Sequence, residues 1–205
     1  MNKNDAKNYW NLGDIRLRLA QAGDAAAFAG HSANSPEWVE RAFDSVNFPL
    51  GAAEAERFIS GYNCDSESSG GDKRLLLIES VEQTEPAKHG IESGGCALLG
   101  FVDVWEADRR NGVFRTGIKM VDGNAGKGFA TRAYKRVLEY YFYELRYQKC
   151  SVYIYEFNGA SLRFHKKFWF TEEGRLRREY YSGGQYYDSI LLGLTIDEFS
   201  NYKRA

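Results

Sequence analysis

Hydrophobic and polar residues recur with two different periods along this chain. Between 14 and 19 they alternate at every second residue, which predicts a strand with one buried face. Between 130 and 145 apolar residues recur at every third or fourth position, which predicts the longest helix. Runs rich in aliphatic and aromatic residues predict further strands at 74–79, 97–105, 113–120, 150–155, 175–181 and 186–194. Shorter helices are predicted at 24–28, with Gly23-Asp24 as the cap, and at 35–39, 52–61 and 159–168. Within 52–61, Ala52, Ala55, Phe58 and Ile59 are expected to share one face.

The order of these elements indicates the fold class. One strand precedes a group of short helices; three strands follow, then the long helix, a strand, a helix and two final strands. This order, without an internal repeat, predicts a mixed α/β architecture around one central sheet. The polar stretches 63–73 and 82–95 are predicted to be loops, and Asn111-Gly112 is predicted to be a hairpin turn.

Composition indicates one globular domain. The chain has 205 residues, of which 43% are hydrophobic and 27% charged. No apolar run is as long as a membrane span, and Met1–Asp5 lacks the apolar stretch of a signal peptide. The three cysteines, Cys64, Cys96 and Cys150, are odd in number and match no metal motif, which predicts reduced thiols in a cytoplasmic protein.

Charge is divided unevenly between the two halves. The net charge is −1, but residues 1–100 hold 9 basic and 15 acidic side chains, against 18 and 13 in residues 101–205. A basic half suits a polyanionic cofactor, and an acidic half suits a cationic substrate. The absence of a dense Lys/Arg cluster argues against a nucleic-acid partner.

A glycine-rich turn joins the predicted strand 113–120 to the long helix. A strand that ends in glycines and opens a helix exposes backbone N–H groups and the positive end of the helix dipole, which together bind phosphate. The turn reads Ala125-Gly126-Lys127-Gly128-Phe129-Ala130-Thr131. It lacks the Ser or Thr that follows Gly-Lys in a Walker loop, and this absence disfavours a nucleotide phosphotransferase. It also lacks the third glycine of a dinucleotide-binding fingerprint.

Taken together, five segments resemble the GNAT acetyltransferases over about residues 14–199. They are 116–120, the glycine turn, 158–170, 172–177 and 187–194. Within 158–170 the chain resembles the family pattern Asn-x-x-Ser-x-x-x-Tyr-x-Lys-x-Gly-Phe, but His165 replaces the Tyr and Trp169 the Gly. Ala125 stands where Arg or Gln is usual in the family. The glycine turn and 172–177 resemble the branch that contains ribosomal-protein alanine acetyltransferases, and many members of this branch carry Glu where Arg115 stands.

The resemblance implies a single domain over 14–199, an N-terminal extension over 1–13 and a C-terminal tail over 200–205. It implies a central sheet of about seven strands, flanked by about four helices and splayed at the cofactor site between 117–121 and 151–155. The implied cofactor is acetyl-CoA, with its pyrophosphate on the backbone of the glycine turn and its pantetheine beside the preceding strand. The implied cofactor-binding residues are Ile118, Met120, Ala125, Gly126, Lys127, Gly128, Phe129, Ala130, Thr131, Asn158, Ser161 and His165. No metal ligand is predicted.

Acetyl transfer to an amine requires a base for the amine, a donor for the oxyanion and a partner for the departing thiolate. The resemblance assigns the thiolate to His165, although His165 also lies on an apolar helix face and could be a core residue. The amide of Met120 is the candidate oxyanion donor, and Asn158 could bind pantetheine or only cap its helix. Glu106 is the candidate base, with Asp103 the alternative because period two directs the two side chains to opposite faces of the strand.

The resemblance therefore predicts an N-acetyltransferase that acts on a primary amine of a protein N-terminus, a polyamine, an amino sugar or an aminoglycoside. The departures at Ala125, Arg115 and Trp169 leave a second possibility, a non-catalytic acyl-CoA-binding module. Acceptor choice in such folds depends on early helices and loops, here 20–73 and 82–95, which carry no motif. Because dimers are common in the family, a homodimer is the suggested assembly.

Overall fold

The computed structural model of the protein describes residues 9–30, 51–62, 72–81, 96–121 and 123–202. Seven strands in these residues form one sheet with the order β1-β2-β3-β4-β5-β7-β6. The strands are β1 Ile15–Leu19, β2 Arg74–Ser80, β3 Leu98–Asp108, β4 Val113–Met120, β5 Lys149–Tyr155, β6 Thr171–Ser182 and β7 Gln185–Thr195. Neighbouring strands are antiparallel except β4 and β5, which are parallel. The predicted mixed sheet of about seven strands is confirmed.

The described residues contain five α-helices, packed on both faces of the sheet. They are α1 Ala25–Phe28, α2 Ala52–Tyr62, α3 Phe129–Glu139, α4 Gly159–Lys167 and α5 Ile196–Tyr202. One apolar cluster includes side chains from α3, and a second joins α1 and α2 to β2 and β3. The predicted helix 35–39, most of the predicted loop 63–73 and the whole of 82–95 lie outside the described residues.

Three predictions of local structure need correction. The helix predicted over 130–145 is α-helical only to Glu139 and continues as a π-turn over Tyr140–Glu144, which buries the consecutive aromatics Tyr141 and Phe142. The carboxylate of Asp24 accepts a hydrogen bond from the Gln21 amide at 2.8 Å and does not cap α1. Ala52, expected on the same face of α2 as Ala55 and Ile59, is exposed, whereas those two residues are buried.

Helix α5 was not predicted, although the sequence contains its signal. The amide of Thr195 donates to the Glu198 carboxylate at 2.7 Å, and the Glu198 amide donates to the Thr195 hydroxyl at 3.3 Å. This pair of hydrogen bonds is a capping box, which the sequence pattern Thr-x-x-Glu predicts. The helix crosses the predicted boundary between the domain and the tail at 199/200, and Phe199 on it is buried.

The division into extension, domain and tail stays a prediction, but the described end of the extension is in contact with the domain. Trp10 and Leu12 pack against the core cluster of α3. The ring of Trp10 lies 4.9 Å from that of Tyr140. Residues 9–13 therefore cover apolar surface that the domain would otherwise expose to water.

Candidate active site

Strands β4 and β5 separate after a short stretch of pairing. Val113, Phe114 and Arg115 pair with Lys149, Cys150 and Ser151, and within the described part of the chain no pairing of these strands continues beyond that point. A cavity of about 2180 Å³ includes this gap and is lined by side chains from both faces of the sheet. The predicted splay of the sheet is therefore confirmed.

The backbone of β4 faces this gap at alternate residues. The Val121 amide donates to the Leu99 carbonyl at 2.9 Å, and Lys119 lies opposite Phe101 in the antiparallel register. Because hydrogen-bonding groups alternate between the two edges of a strand, the N–H and C=O groups of Ile118 and Met120 point away from β3 and into the gap. These are the two β4 residues predicted to hold pantetheine.

The glycine turn lies at one end of the cavity, before α3. Gly126 and Gly128 have φ of 79° and 80°, the left-handed region that side chains disfavour, so both positions require glycine. Gly128 is the N-cap of α3, and no described side chain caps the helix. The first-turn amides of Phe129, Ala130 and Thr131 therefore remain available to an anion.

The side chains of the turn contribute less than its backbone. Ala125, Gly126 and Ala130 line the cavity. Lys127 is exposed, and its ammonium group donates to the Asn124 side chain at 3.1 Å. The small side chain of Ala125, where the family pattern has Arg or Gln, leaves the backbone amides as the donors at this site.

Helix α4 forms another wall of the cavity. The Asn158 side chain accepts a hydrogen bond from the Ser161 amide at 3.1 Å, which confirms its predicted role as the cap of this helix. Asn158, Ser161 and His165 all line the cavity, so the structure places the three predicted α4 residues together. Trp169 follows α4 with φ of 63°, which explains the glycine of the family pattern at this position.

His165 is buried, with 4% of its surface exposed. Its Nδ1 lies 2.9 Å from the Ser161 carbonyl oxygen, and its Nε2 is buried without a hydrogen-bond partner in the described residues. Burial lowers the pKa of His165 to about 4, although the Ser161 hydrogen bond acts in the opposite direction. At neutral pH the ring is therefore neutral, which conflicts with the expected donation of a proton to the thiolate.

Asp103 and Glu106 both line the cavity. The regular register of β3 and β4 breaks between Trp105 and Asp108, and Glu106 has φ of 47°, so period-two alternation fails there. Glu106 is more than half exposed and forms an ion pair with Arg115. The Arg115 guanidinium also lies 4.6 Å from the ring centre of Tyr153 on β5.

Asp103 has a different environment. It is buried, and its Oδ2 accepts a hydrogen bond from the Tyr62 hydroxyl at 2.9 Å. Its Oδ1 has no hydrogen-bond partner in the described residues and lies close to Gly117, where an added Cβ would approach it to 2.7 Å. Burial and the nearby charge of Asp103 raise the pKa of Tyr62, so this phenol stays a hydrogen-bond donor.

Sequence reasoning missed Tyr62 and ranked Asp103 below Glu106. Tyr62 is the last residue of α2 and lies 41 residues before its partner, so no local pattern links the two. The sequence signal for Asp103 was its position within an otherwise apolar strand. Carboxylates are seldom buried without a partner, so this position suggests a functional role.

The fold, the splayed sheet and the anion-binding turn define an acyltransferase of the GNAT type, and comparisons with known proteins agree. The family model of the acetyltransferase (GNAT) domain matches residues 14–171. The chain is 30% identical over 194 residues to an uncharacterized SPbeta prophage-derived N-acetyltransferase, YokL of Bacillus subtilis strain 168, covering 95% of this chain and 97% of that one. Over 65 residues, 32% of this chain and 35% of the other, it is 35% identical to a spermidine N(1)-acetyltransferase of Escherichia coli K12.

A solved structure shares the fold. The spermidine N-acetyltransferase from Vibrio cholerae, crystallised with CoA and spermine, has a TM-score of 0.74 at 21% identity and covers 92% of this chain and 99% of that chain. The chain thus belongs to the GNAT acetyltransferase family, and its prediction as an acetyl-CoA-dependent N-acetyltransferase is confirmed at that level. Among the described residues, no helix has the length and apolarity to cross a bilayer.

Proposed function

We propose that this protein transfers the acetyl group of acetyl-CoA to a primary amine of a small molecule that is cationic in solution, and that the gap between β4 and β5 is the site. One observation carries the proposal. The buried Asp103 carboxylate lines the cavity with one oxygen lacking a partner in the described residues, beside the strand whose amides face the gap. A buried, half-satisfied carboxylate is costly unless a hydrogen-bond donor, such as a ligand ammonium group, completes its bonding.

The residues at the gap fit acetyl-CoA, which supplies the acetyl group as a thioester when bound. The first-turn amides of α3 and the backbone of Gly126 provide donors for the pyrophosphate. The N–H and C=O groups of Ile118 offer pantetheine the hydrogen bonds that β5 would make in a closed sheet. The Met120 amide, which also points into the gap, is available to donate to the thioester carbonyl oxygen.

Asp103 replaces Glu106 as the base in this proposal. An alkylammonium group has a pKa of about 10 and cannot attack a carbonyl until it loses a proton. The free Oδ1 of Asp103 can accept that proton, while the Tyr62 hydroxyl keeps Oδ2 in place. Glu106 is less suitable because Arg115 neutralises its charge.

The names of two relatives support a polyamine as the acceptor class, since both act on spermidine. An ammonium group matches the negative charge of Asp103, and a small molecule can enter a gap between strands. The predicted homodimer and the predicted cytoplasmic location stay predictions.

The test is amine-dependent release of free thiol from acetyl-CoA, with the acetylated product identified by mass spectrometry. Spermidine, a peptide with a free N-terminal alanine and an aminoglycoside should be compared at equal concentration. We expect spermidine to be acetylated with the highest kcat/KM. Acetylation of the peptide alone would contradict the acceptor class, and thiol release that no amine stimulates would contradict the proposed transfer.

A further inference from the structure

We propose that His165 meets the thiol of CoA as a hydrogen-bond acceptor, the reverse of the donor role that its position in the family pattern implies. The inference rests on the proposed function, since it requires CoA to lie in the gap with its sulfur near α4. It concerns one nitrogen, Nε2 of His165, and one ligand atom, the sulfur.

The hydrogen bond at the other ring nitrogen determines the tautomer. Nδ1 lies 2.9 Å from the Ser161 carbonyl oxygen, and a carbonyl oxygen only accepts hydrogen bonds. Nδ1 therefore carries the proton, and in a neutral imidazole Nε2 is then an acceptor. The Ser161 hydroxyl could donate to Nδ1 in the opposite tautomer, but it lies farther away, at 3.3 Å.

The surroundings of His165 keep the ring neutral. The rings of Tyr134, Phe164 and Phe170 meet it edge-on, with centroid distances of 5.5, 5.3 and 5.1 Å. Of these neighbours only Tyr134 titrates, and burial raises its pKa well above the ordinary value. Burial also lowers the pKa of His165 to about 4, so the doubly protonated ring is a minor form at neutral pH.

The unprotonated Nε2 is an unsatisfied hydrogen-bond acceptor. It is buried without a partner in the described residues, and His165 lines the cavity. The sulfur of acetyl-CoA carries no hydrogen, whereas the sulfur of CoA carries one. A hydrogen-bond donor is what an unsatisfied buried acceptor needs, so Nε2 favours the product thiol over the thioester.

The proton balance of the reaction does not require His165 as a donor. The C–N bond forms as the C–S bond breaks, Asp103 takes one proton from the ammonium group, and a second proton from the same nitrogen passes to the sulfur. An ammonium group and a thioester thus give an amide, a thiol and one proton. His165 then binds the thiol after this transfer.

Calorimetric titration with CoA and with desulfo-CoA, which lacks the sulfur, tests the proposal. At about pH 7, below the ordinary thiol pKa of about 8.5, we expect the wild type to bind CoA about 5-fold more tightly than desulfo-CoA. At about pH 9.5, where the thiol is mostly a thiolate, this preference should disappear. The matched control His165→Phe should show no preference at either pH, and His165→Tyr, whose phenol donates, should prefer CoA more strongly at the higher pH.

A wild-type preference for CoA that grows with pH would show donation to the thiolate and overturn the proposal. Equal binding of the two ligands at both pH values would show that His165 does not contact the sulfur, and would also overturn it. Failure of both ligands to bind would instead contradict the proposed function, and this inference would fall with it.

Nitrogen-15 spectroscopy of the imidazole provides a second measurement that needs no variant at 165. Replacing His31 and His89 with Gln leaves one histidine to observe. We expect the neutral, Nδ1-protonated form in the ligand-free protein at neutral pH. An Nε2-protonated ring or an imidazolium under those conditions would overturn the proposal.

Discussion

Asp72 and Asp103 are both buried carboxylates, but the regions around them provide different numbers of hydrogen-bond donors. Asp72 accepts two hydrogen bonds from the Arg109 guanidinium, at 2.6 and 2.7 Å, and one from the Tyr147 hydroxyl at 2.8 Å. Asp103 accepts one hydrogen bond at Oδ2 and has no partner for Oδ1 in the described residues. The two carboxylates are similarly buried, so burial does not distinguish them. They differ in how completely their oxygens are hydrogen-bonded.

The difference in bonding corresponds to a difference in position. Asp72 precedes β2 and connects it to Arg109, in the turn between β3 and β4, and to Tyr147 after the π-turn. Burial would raise the pKa of Asp72, but the Arg109 and Tyr147 hydrogen bonds outweigh it and hold the pKa below its ordinary value. Asp103 lines the open gap instead. We infer that the first carboxylate stabilises the fold and that the second serves the reaction.

Asparagine at 103 should give the largest effect, because it removes the proposed base. For Asp103→Asn we expect kcat/KM for the amine to fall by about 100-fold or more, with CoA affinity unchanged within about 2-fold. The control Glu106→Gln should lower kcat/KM by less than about 5-fold. Steady-state kinetics and calorimetry measure both; a larger loss in the Glu106 variant would return the base to Glu106.

Asp72→Asn should lower stability rather than activity. It leaves Arg109 without a charged partner, so the free energy of unfolding should fall by about 2 kcal/mol, less than for a fully buried pair because Arg109 is largely exposed. Denaturant unfolding measures this change. When activity is assayed well below the melting temperature, kcat/KM should stay near the wild-type value. A strong loss of activity would contradict the inference that Asp72 is structural and Asp103 catalytic.

His165 extends the comparison to a neutral group and predicts a pH dependence. Its pKa is lowered by burial from 6.5 to about 4, so the unfolded chain binds the extra proton first as the pH falls. The stability from the neutral ring is present above pH 6.5 and is lost toward pH 4. Between pH 7 and pH 5 the free energy of unfolding should fall by about 2 kcal/mol on this account. The stability of His165→Phe should not show this decrease between pH 7 and pH 5. If the variant and the wild type showed the same pH dependence, the imidazole would be exposed to solvent in the folded protein.

Removing one phenol in each region gives the finest comparison. Tyr62→Phe and Tyr147→Phe delete a hydroxyl that donates to Asp103 and Asp72 respectively. Each should cost about 1 kcal/mol of unfolding free energy. Only Tyr62→Phe should also lower kcat/KM, by several-fold, because the base loses the group that positions it. Equal activity of the two variants would contradict that positioning role.

These contrasts show which parts of the molecule the sequence could predict. Local patterns identified β4, the glycine turn, the Asn158 cap and the general position of His165, because each depends on neighbours within a few residues. The strained backbone at Glu106 and the π-turn after Glu139 escaped, since periodicity assumes a regular register. The Tyr62–Asp103 bond escaped because it joins α2 to β3 through tertiary packing alone.

The most direct test of the central claim is residue-resolved amide hydrogen exchange with and without CoA. The amides of Ile118 and Met120 face the gap, while that of Lys119 faces β3, so the three form an internal comparison on one strand. We predict that CoA slows exchange strongly at Ile118, slows it less at Met120, whose proposed partner is the thioester carbonyl that CoA lacks, and leaves Lys119 nearly unchanged. Unaltered exchange at Ile118 and Met120 under saturating CoA would contradict the assignment of the gap as the acetyl-CoA site.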